Sequence, residues 1–239
     1  ASFALRRNLN FREAGTVAAD AVVWHVTEDP SAELGRFRAG ELHITEAVPP
    51  GRLDWLKREL GDSLRISPYF GSFYLVYNLR RAPLADSPAL REALSLAIDR
   101  EIIVDRVLGT GELPAWRLVP PGLEGWPDQP PPEARMSRSE RIGRARQLLS
   151  EAGYSERPLT VELRFNSSLA HRRLAAAVAA MWKQHLGIST RLVNEEWKVF
   201  VTNRRHGRIT EIVRGGWIAD WADPGNFLGN FHSESPLNY

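Results

Sequence analysis

The chain of 239 residues contains no cysteine, so disulfides, thiol catalysis and Cys-ligated metals are excluded and the redox compartment stays open. Lysine is scarce: it stands only at Lys57, Lys183 and Lys198, and Arg supplies the remaining positive charge. Basic and acidic residues nearly cancel, leaving a formal charge of +2, and no block of one sign occurs. Composition therefore does not suggest a nucleic-acid groove. No apolar run reaches the roughly 20 residues that a membrane-spanning helix needs. Templates for catalysis are missing too. There is no G-x-S-x-G elbow, no H-E-x-x-H pair, no phosphate-cradling Gly loop and no dinucleotide fingerprint. The 6 His residues lie far apart, without the spacing of metal ligands, and no metal or cofactor is expected.

What remains is an ordinary globular composition, 43% hydrophobic and 25% charged, long enough for one large domain or two small ones. Strand and helix patterns alternate. Phe3-Ala4-Leu5 reads as the middle of a strand, and Ala21–Val26 as a β-rich run. Asp29-Pro30 starts a helix that Gly40 ends. Leu42–Ile44 and Leu64–Ile66 are expected as short strands, Leu53–Leu60 as a helix, and Ser72–Asn78 as a bulky strand. Asp86-Ser87-Pro88 opens a helix whose Leu90, Leu94, Ile98 and Ile102 share a face. Asp99-Arg100-Glu101 either ends that helix or links it to a second one reaching Leu108.

Residues 118–136 carry Pro120, Pro121, Pro127, Pro130, Pro131 and Pro132, yet Leu118, Val119, Leu123 and Trp126 are apolar. This composition predicts a loop packed on the domain surface. Helices follow over Ser137–Ala152 and Leu169–Leu186, each stopped by Gly, with strands at Leu159–Phe165 and Ile188–Val193. A short helix over Glu195–Arg205, a strand over Ile209–Ile218 and a turn at Asp223-Pro224 complete the series. The alternation predicts an α/β domain with a mixed sheet flanked by helices. Both ends read as cut from a longer chain: the first nine residues are too short and too weakly apolar for a secretory signal, and the last nine form a polar loop.

Two places hold paired carboxylates. Glu195-Glu196 are read as helical neighbours diverging on a solvated face. Asp220 and Asp223 lie in Arg214-Gly215-Gly216-Trp217-Ile218-Ala219-Asp220-Trp221-Ala222-Asp223-Pro224. Two Gly residues in a strand weaken it and often mark the close approach of another backbone. Asp223-Pro224 fits a helix cap. Asp220, set between apolar neighbours, is either a strand-end cap or a charge awaiting a partner.

Trp217-x-Ala219-Asp220-Trp221-x-Asp223-Pro224 resembles the W-x-A-D-Y-x-x-P segment of periplasmic oligopeptide-binding proteins of ABC importers, including their murein-peptide-binding relative (the bacterial extracellular solute-binding proteins, family 5). Further blocks are similar in order: Tyr77-Asn78 with Pro83-Leu84-x-Asp86, Leu90-Arg91-x-Ala93-Leu94-x-x-Ala97-Ile98-Asp99-Arg100, and Ala145-x-x-Leu148-Leu149-x-x-Ala152-Gly153-Tyr154. Asn166-Ser167-Ser168, His171, Trp182-Lys183 and Glu196-Trp197-Lys198-x-Phe200 follow.

The resemblance implies one lobe of a two-lobe periplasmic binding protein. Residues 1–20 would form an interlobe crossover segment, and residues 21–239 the second large lobe, incomplete at its C-terminus. It implies a monomeric, non-enzymatic receptor in the periplasm or cell envelope, with no cofactor, no metal and no nucleic-acid partner, whose partners are an oligopeptide and a membrane ABC permease. By resemblance Asp220 pairs with the peptide α-ammonium, and the strand through Gly216 and Ile218 pairs with its backbone. Arg204 and Arg214 meet carboxylates, with Arg81 at a basic position that can assist. Trp197, Trp217 and His171 wall side-chain pockets. Trp221 stands where the family motif has Tyr, which removes a hydroxyl. A murein-peptide or dipeptide receptor, the ligand-sensing domain of a transcriptional regulator, and an enzyme using Asp220 with a neighbouring acid are the alternatives.

Overall fold

A computed structural model describes residues 1–67, 70–127, 129–235 and 237–238. Asp128 of the proline-rich stretch, and Pro236 and Tyr239 of the terminal polar loop, lie outside the described residues. The chain divides into two compact units, Ala1–Pro49 and Pro50–Tyr239.

In the first unit, β1 (Ser2–Arg6) pairs antiparallel with β2 (Ala21–His25), from Ser2 opposite His25 to Arg6 opposite Ala21. Phe3 stacks on Trp24 with ring centroids 6.1 Å apart. The helix α1 (Pro30–Arg38) starts where expected: the Asp29 carboxylate accepts from the Ser31 N–H at 2.8 Å, and Pro30 occupies the first turn. Leu42–Ile44 is not a strand, because no neighbouring strand offers it an edge to pair with.

The second unit begins with α2 (Leu53–Leu60). Leu64–Ile66 again finds no pairing strand among the described residues and stays irregular. β3 (Gly71–Tyr77) leads to α3 (Pro88–Leu96), where Ser87 Oγ accepts from the Leu90 N–H. Asp99 then caps a second helix, α4 (Arg100–Ile102), which widens into π-helical turns over Ile103–Leu108 and ends at the left-handed Gly109. Of the two readings left open there, the second helix is the one that forms. Among its described residues, the proline-rich segment forms α5 (Pro132–Arg135) and otherwise no helix or strand. Then come α6 (Arg138–Glu151), β4 (Thr160–Asn166), α7 (Leu169–Leu186), β5 (Ser189–Glu195), α8 (Trp197–Arg205), β6 (Ile212–Ile218) and α9 (Gly225–Leu228). Ser137 and Glu140 form a reciprocal capping box on α6, and Gly187 closes α7 in the left-handed region.

The four strands of this unit lie in the order β3-β6-β4-β5. β4 runs parallel to both β5 and β6, and β3 runs antiparallel to β6, so the sheet is mixed as expected. Alternation along β4 sorts its two faces. Val161, Leu163 and Phe165 enter a core with Leu90 and Leu94 of α3, Leu148 of α6, and Leu174, Val178 and Trp182 of α7. Trp182 is fully buried, and its indole N–H donates to the Leu94 carbonyl at 2.8 Å. Each fully buried side chain of Leu size contributes about 1.5–3 kcal/mol.

Glu162 and Arg164 take the opposite face, below α8. Glu162 is 2% exposed and pairs with Arg164 and with Arg191. Arg164 also pairs with Glu195. On that same face Phe200 of α8 packs with Val76, Ile209 and Val213. A third cluster joins Val119 and Leu123 of the proline-rich loop to Phe227 of α9, with Trp126, Trp217 and Ala219 against it. The loop is thus packed, as its apolar residues predicted.

Gly215 differs from its expected reason. No foreign backbone crosses it; the Tyr74 ring does. A Cβ on Gly215 would lie 2.3 Å from Tyr74 Cε2. Gly215→Ala should lower stability by about 1–3 kcal/mol through overpacking. In a Tyr74→Ala background the same substitution should cost little, and denaturant unfolding of the four variants measures both effects.

Candidate functional site

The carboxyl ends of the parallel strands β4, β5 and β6 open at one end of the sheet, and a side chain expected at the site follows each of them. His171 stands in the first turn of α7 after β4, Trp197 opens α8 after β5, and Asp220 lies two residues past β6. Open α/β sheets place ligand crevices at this end.

β6 itself has an unusual edge. Its pairing with β4 covers only Leu163–Ile212 and Arg164–Val213, whereas its pairing with β3 runs from Ile212 to Ile218. At the two ends of the β3 ladder, the Ala219 N–H donates to the Phe70 carbonyl at 2.8 Å and the Asn78 N–H to the Glu211 carbonyl at 2.7 Å. Antiparallel hydrogen bonding alternates, so odd-numbered residues of β6 face β3. Gly216 and Ile218 therefore direct their N–H and C=O groups away from β3, beyond the last residue paired with β4. This is a short exposed sheet edge of the kind that accepts an added strand.

The two faces of that edge differ. On the face shared with Ile212, Arg214 lies with its guanidinium carbon 4.9 Å from the centroid of the Phe73 ring. His171 packs on the same ring at 5.6 Å. The His171 N–H at Nδ1 donates to the Asn166 carbonyl at 3.3 Å, which fixes the neutral tautomer and leaves Nε2 as an acceptor. The His171 pKa is lowered to about 4, chiefly by burial and then by the Arg214 charge, with the Asn166 carbonyl opposing the shift. Burial likewise lowers Arg214 to about 10, helped by the charge of Arg204 and opposed by Tyr74. Arg214 Nε is buried without an acceptor, and no carboxylate among the described residues pairs with this guanidinium. A Cβ on Gly216 would sit 3.3 Å from Arg214 Nη2. Arg204 lies on α8 with its guanidinium carbon 5.8 Å from the Phe200 ring centroid, and Trp197 stacks on the same ring at 6.1 Å.

Trp217 is half-buried against the Val119, Leu123 and Phe227 cluster, and its indole N–H donates to Asn226 Oδ1 at 2.6 Å. Asp220 is exposed. So are its neighbours Ile218 and Trp221, each at 63%. The apolar sequence around Asp220 suggested a costly buried charge; the structure shows a solvated carboxylate, because the chain has left the sheet by that point. No side chain among the described residues pairs with it. Asp223 is the cap expected of it, accepting from the Gly225 N–H at 2.6 Å.

Glu195 corrects the sequence reading. It is not on a solvated helix face: it ends β5, and its Oε1 accepts from Asn203 Nδ2 at 2.7 Å as well as from Arg164. Only Glu196 belongs to the helix, as its cap, accepting from Lys198 and Val199. Arg81 follows the end of β3 and takes no part in the cluster of Arg214, His171 and Phe73. Phe73, which covers both Arg214 and His171, was not singled out from sequence. Its signal was present, since a bulky residue of β3 faces Gly216 across the pair. Asn226 left no signal. Among the described residues, no group of three or more His, Asp or Glu could hold a metal ion.

This end of the mixed sheet brings together an open strand edge, a solvated carboxylate at one end of it and, near the other, a guanidinium that no carboxylate among the described residues pairs with. Over residues 1–239 the chain matches the bacterial extracellular solute-binding proteins, family 5 Middle, and it belongs to that family, a class of receptors and not of enzymes. It is 35% identical over 236 residues to the periplasmic oligopeptide-binding protein OppA of Salmonella typhimurium, covering 98% of this chain and 43% of that protein. Its fold superimposes on the murein tripeptide binding protein MppA of Escherichia coli with a TM-score of 0.93 at 33% identity, over 99% of this chain and 46% of that one. The Haemophilus influenzae OppA complex with the peptide RPPGFSPFR gives a TM-score of 0.91 at 32% identity, over 99% and 47%. The chain thus spans less than half the length of these relatives.

The low His171 pKa has a measurable consequence. Its folded value lies below the unfolded value of about 6.5, so the unfolded state binds the proton more readily between pH 6.5 and 4. Stability from this group is full above pH 6.5 and is lost as pH falls through that window. Imidazole resonances of His171 should titrate near pH 4, and Arg214→Gln should move the midpoint upward by removing the neighbouring charge.

Proposed function

We propose that the chain is the second large lobe of an extracytoplasmic receptor that captures oligopeptides and delivers them to a membrane ABC importer. Residues 1–20 form the interlobe crossover segment, and the location is the periplasm or cell envelope. The observation that carries this reading is the juxtaposition of the open Gly216–Ile218 edge with the exposed, unpaired Asp220. A peptide in extended form adds a strand to that edge through backbone hydrogen bonds, which are blind to its side chains. Its α-ammonium meets Asp220, and the charge-assisted bond fixes the register.

A peptide with its amino end at Asp220 and its backbone on β6 runs antiparallel to the strand, toward Arg214. Arg214 and Asp220 are six positions apart, at most about 20 Å of extended chain. That span suits a short peptide whose carboxylate, terminal or on a side chain, reaches the partly buried guanidinium of Arg214. His171, neutral and presenting Nε2, accepts a hydrogen bond there without adding a second charge. Arg204 lies within electrostatic range of Arg214 and strengthens the local attraction for an anion. Trp197 and Trp217 give apolar walls that take varied side chains, with water filling the remainder. The other half of the peptide surface is covered by the second lobe, which closes about a hinge. Relatives that bear murein-peptide and oligopeptide names are each 35% identical to this chain, and a murein peptide, with its additional carboxylate, is the specific variant that Arg214 and Arg204 would favour.

The test is calorimetry on the intact two-lobe protein with trialanine, before and after Asp220→Asn. The substitution should weaken binding by about 2 kcal/mol or more, roughly 30-fold. N-acetylation of the peptide should cause a similar loss in the parent protein and little further loss in the variant. Unchanged affinity in Asp220→Asn would sink the reading.

A further inference from the structure

Asp220 stands in a loop, so its position depends on what holds the residues just before it. Two hydrogen bonds do so. The Ala219 N–H donates to the Phe70 carbonyl at 2.8 Å, and the Trp217 indole N–H donates to Asn226 Oδ1 at 2.6 Å. The second bond is a side-chain tie between the wall of the proposed pocket and α9. Asn226 is 8% exposed. α9 is itself tied back to the same loop, because Asp223 accepts from the Gly225 N–H at 2.6 Å. The Asn226 carbonyl accepts from Asn230 Nδ2 at 3.2 Å.

The orientation of the Asn226 amide is set by chemistry. An indole N–H only donates, so the atom facing it must be the amide oxygen. The amide nitrogen then points elsewhere, and it is buried without an acceptor. A buried donor left unused costs stability, whereas an apolar side chain of the same size beside Phe227, Val119 and Leu123 would not. What the amide supplies at this position is the acceptor for Trp217.

We propose that Asn226 is a positioning residue for ligand recognition: by accepting from the Trp217 indole it fixes the orientation of that pocket wall and, through Trp217 and Ala219, the place of Asp220. This rests on the receptor reading above. Asn226 touches no ligand. It acts through Trp217, and the packed proline-rich loop supports both from behind through Val119 and Leu123. Without the acceptor, the half-buried indole keeps its apolar contacts but gains rotational freedom. A wall that must be ordered on binding lowers affinity, because the ordering entropy is then lost at that step.

The test is a double-mutant cycle on the intact protein, with calorimetric binding of trialanine and Ala-Phe-Ala. Asn226→Leu keeps the branched shape and removes the acceptor; it should weaken binding by about tenfold, the scale of one lost hydrogen bond with a buried partner. Asn226→Asp keeps an acceptor toward the indole and should restore affinity to within about threefold of the parent. Trp217→Phe removes the N–H, and in that background Asn226→Leu should add no further loss. Thermal unfolding of each variant checks that the protein remains folded at the binding temperature. Equal affinity of Asn226→Leu and parent, or the same tenfold loss in the Trp217→Phe background, would overturn the positioning role while leaving the receptor reading intact. Absence of peptide binding by the parent protein would overturn both.

Discussion

The site depends on one constraint in the sheet: β6 must leave β4 while staying paired with β3. Both neighbours hold it at Ile212 and Val213, but from Arg214 onward only β3 does. β4 meanwhile continues its pairing with β5 through Asn166 opposite Glu195. The strands therefore part at their carboxyl ends, and the gap is a consequence of which ladders persist. Gly215 is where this becomes possible. With no side chain there, the Tyr74 ring lies across the strand and covers it on the α8 side, so the departing strand is supported by packing where it has lost a neighbour.

The closed part of the sheet and its open end balance charge differently. Below α8, Glu162 answers Arg164 and Arg191, and Glu195 answers Arg164 and Asn203. Buried ions are stable there because each finds a counter-ion and further hydrogen bonds. At the open end the same economy is absent. Arg214 is partly buried on the Phe73 ring without a carboxylate, and Asp220 is left to water. The guanidinium face on the aromatic ring offsets some of the desolvation, but not its unmatched hydrogen-bonding capacity. The fold thus pairs its charges in one place and, at two ends of an open strand edge, leaves a cation and an anion without an ionic partner among the described residues, which is what the proposed peptide would supply.

Local chemistry made much of this fold legible. Gly187 after Leu186 marked the end of α7 because only Gly enters the left-handed turn cheaply. The failures have a common cause. Leu42–Ile44 and Leu64–Ile66 have strand-like composition, but a strand exists only beside another, and no local signal announces that partner. Glu195 was misplaced by a shift of one element boundary, which turned a buried ion-pair member into a surface residue. Asp220 was singled out because its neighbours are apolar, yet those neighbours are themselves exposed. The reason that singled it out is replaced by the structure: Ile218 and Trp221 are open because the strand edge is open. The Trp217–Asn226 bond had no sequence signature, since it joins two side chains across the Asp223 turn whose approach only the backbone geometry brings about.

On the proposed reading, selectivity would follow from the same arrangement. Backbone pairing along Gly216 and Ile218 would contribute affinity that any extended peptide can use, so it would not discriminate among sequences. Discrimination would then come from the two ends and from the walls. The ends would read length, because Asp220 would fix one terminus and Arg214 stands a limited distance along β6. The walls read shape only as far as they are rigid, and their rigidity is uneven. Trp197 rests on Phe200 at the exposed start of a helix, while Trp217 is packed from behind and tied at its indole nitrogen. A ligand side chain directed toward Trp217 would meet a fixed surface, whereas one directed toward Trp197 would meet a surface that can yield. A receptor of the proposed kind would therefore be strict about where a peptide begins, moderately strict about where it ends, and permissive in between.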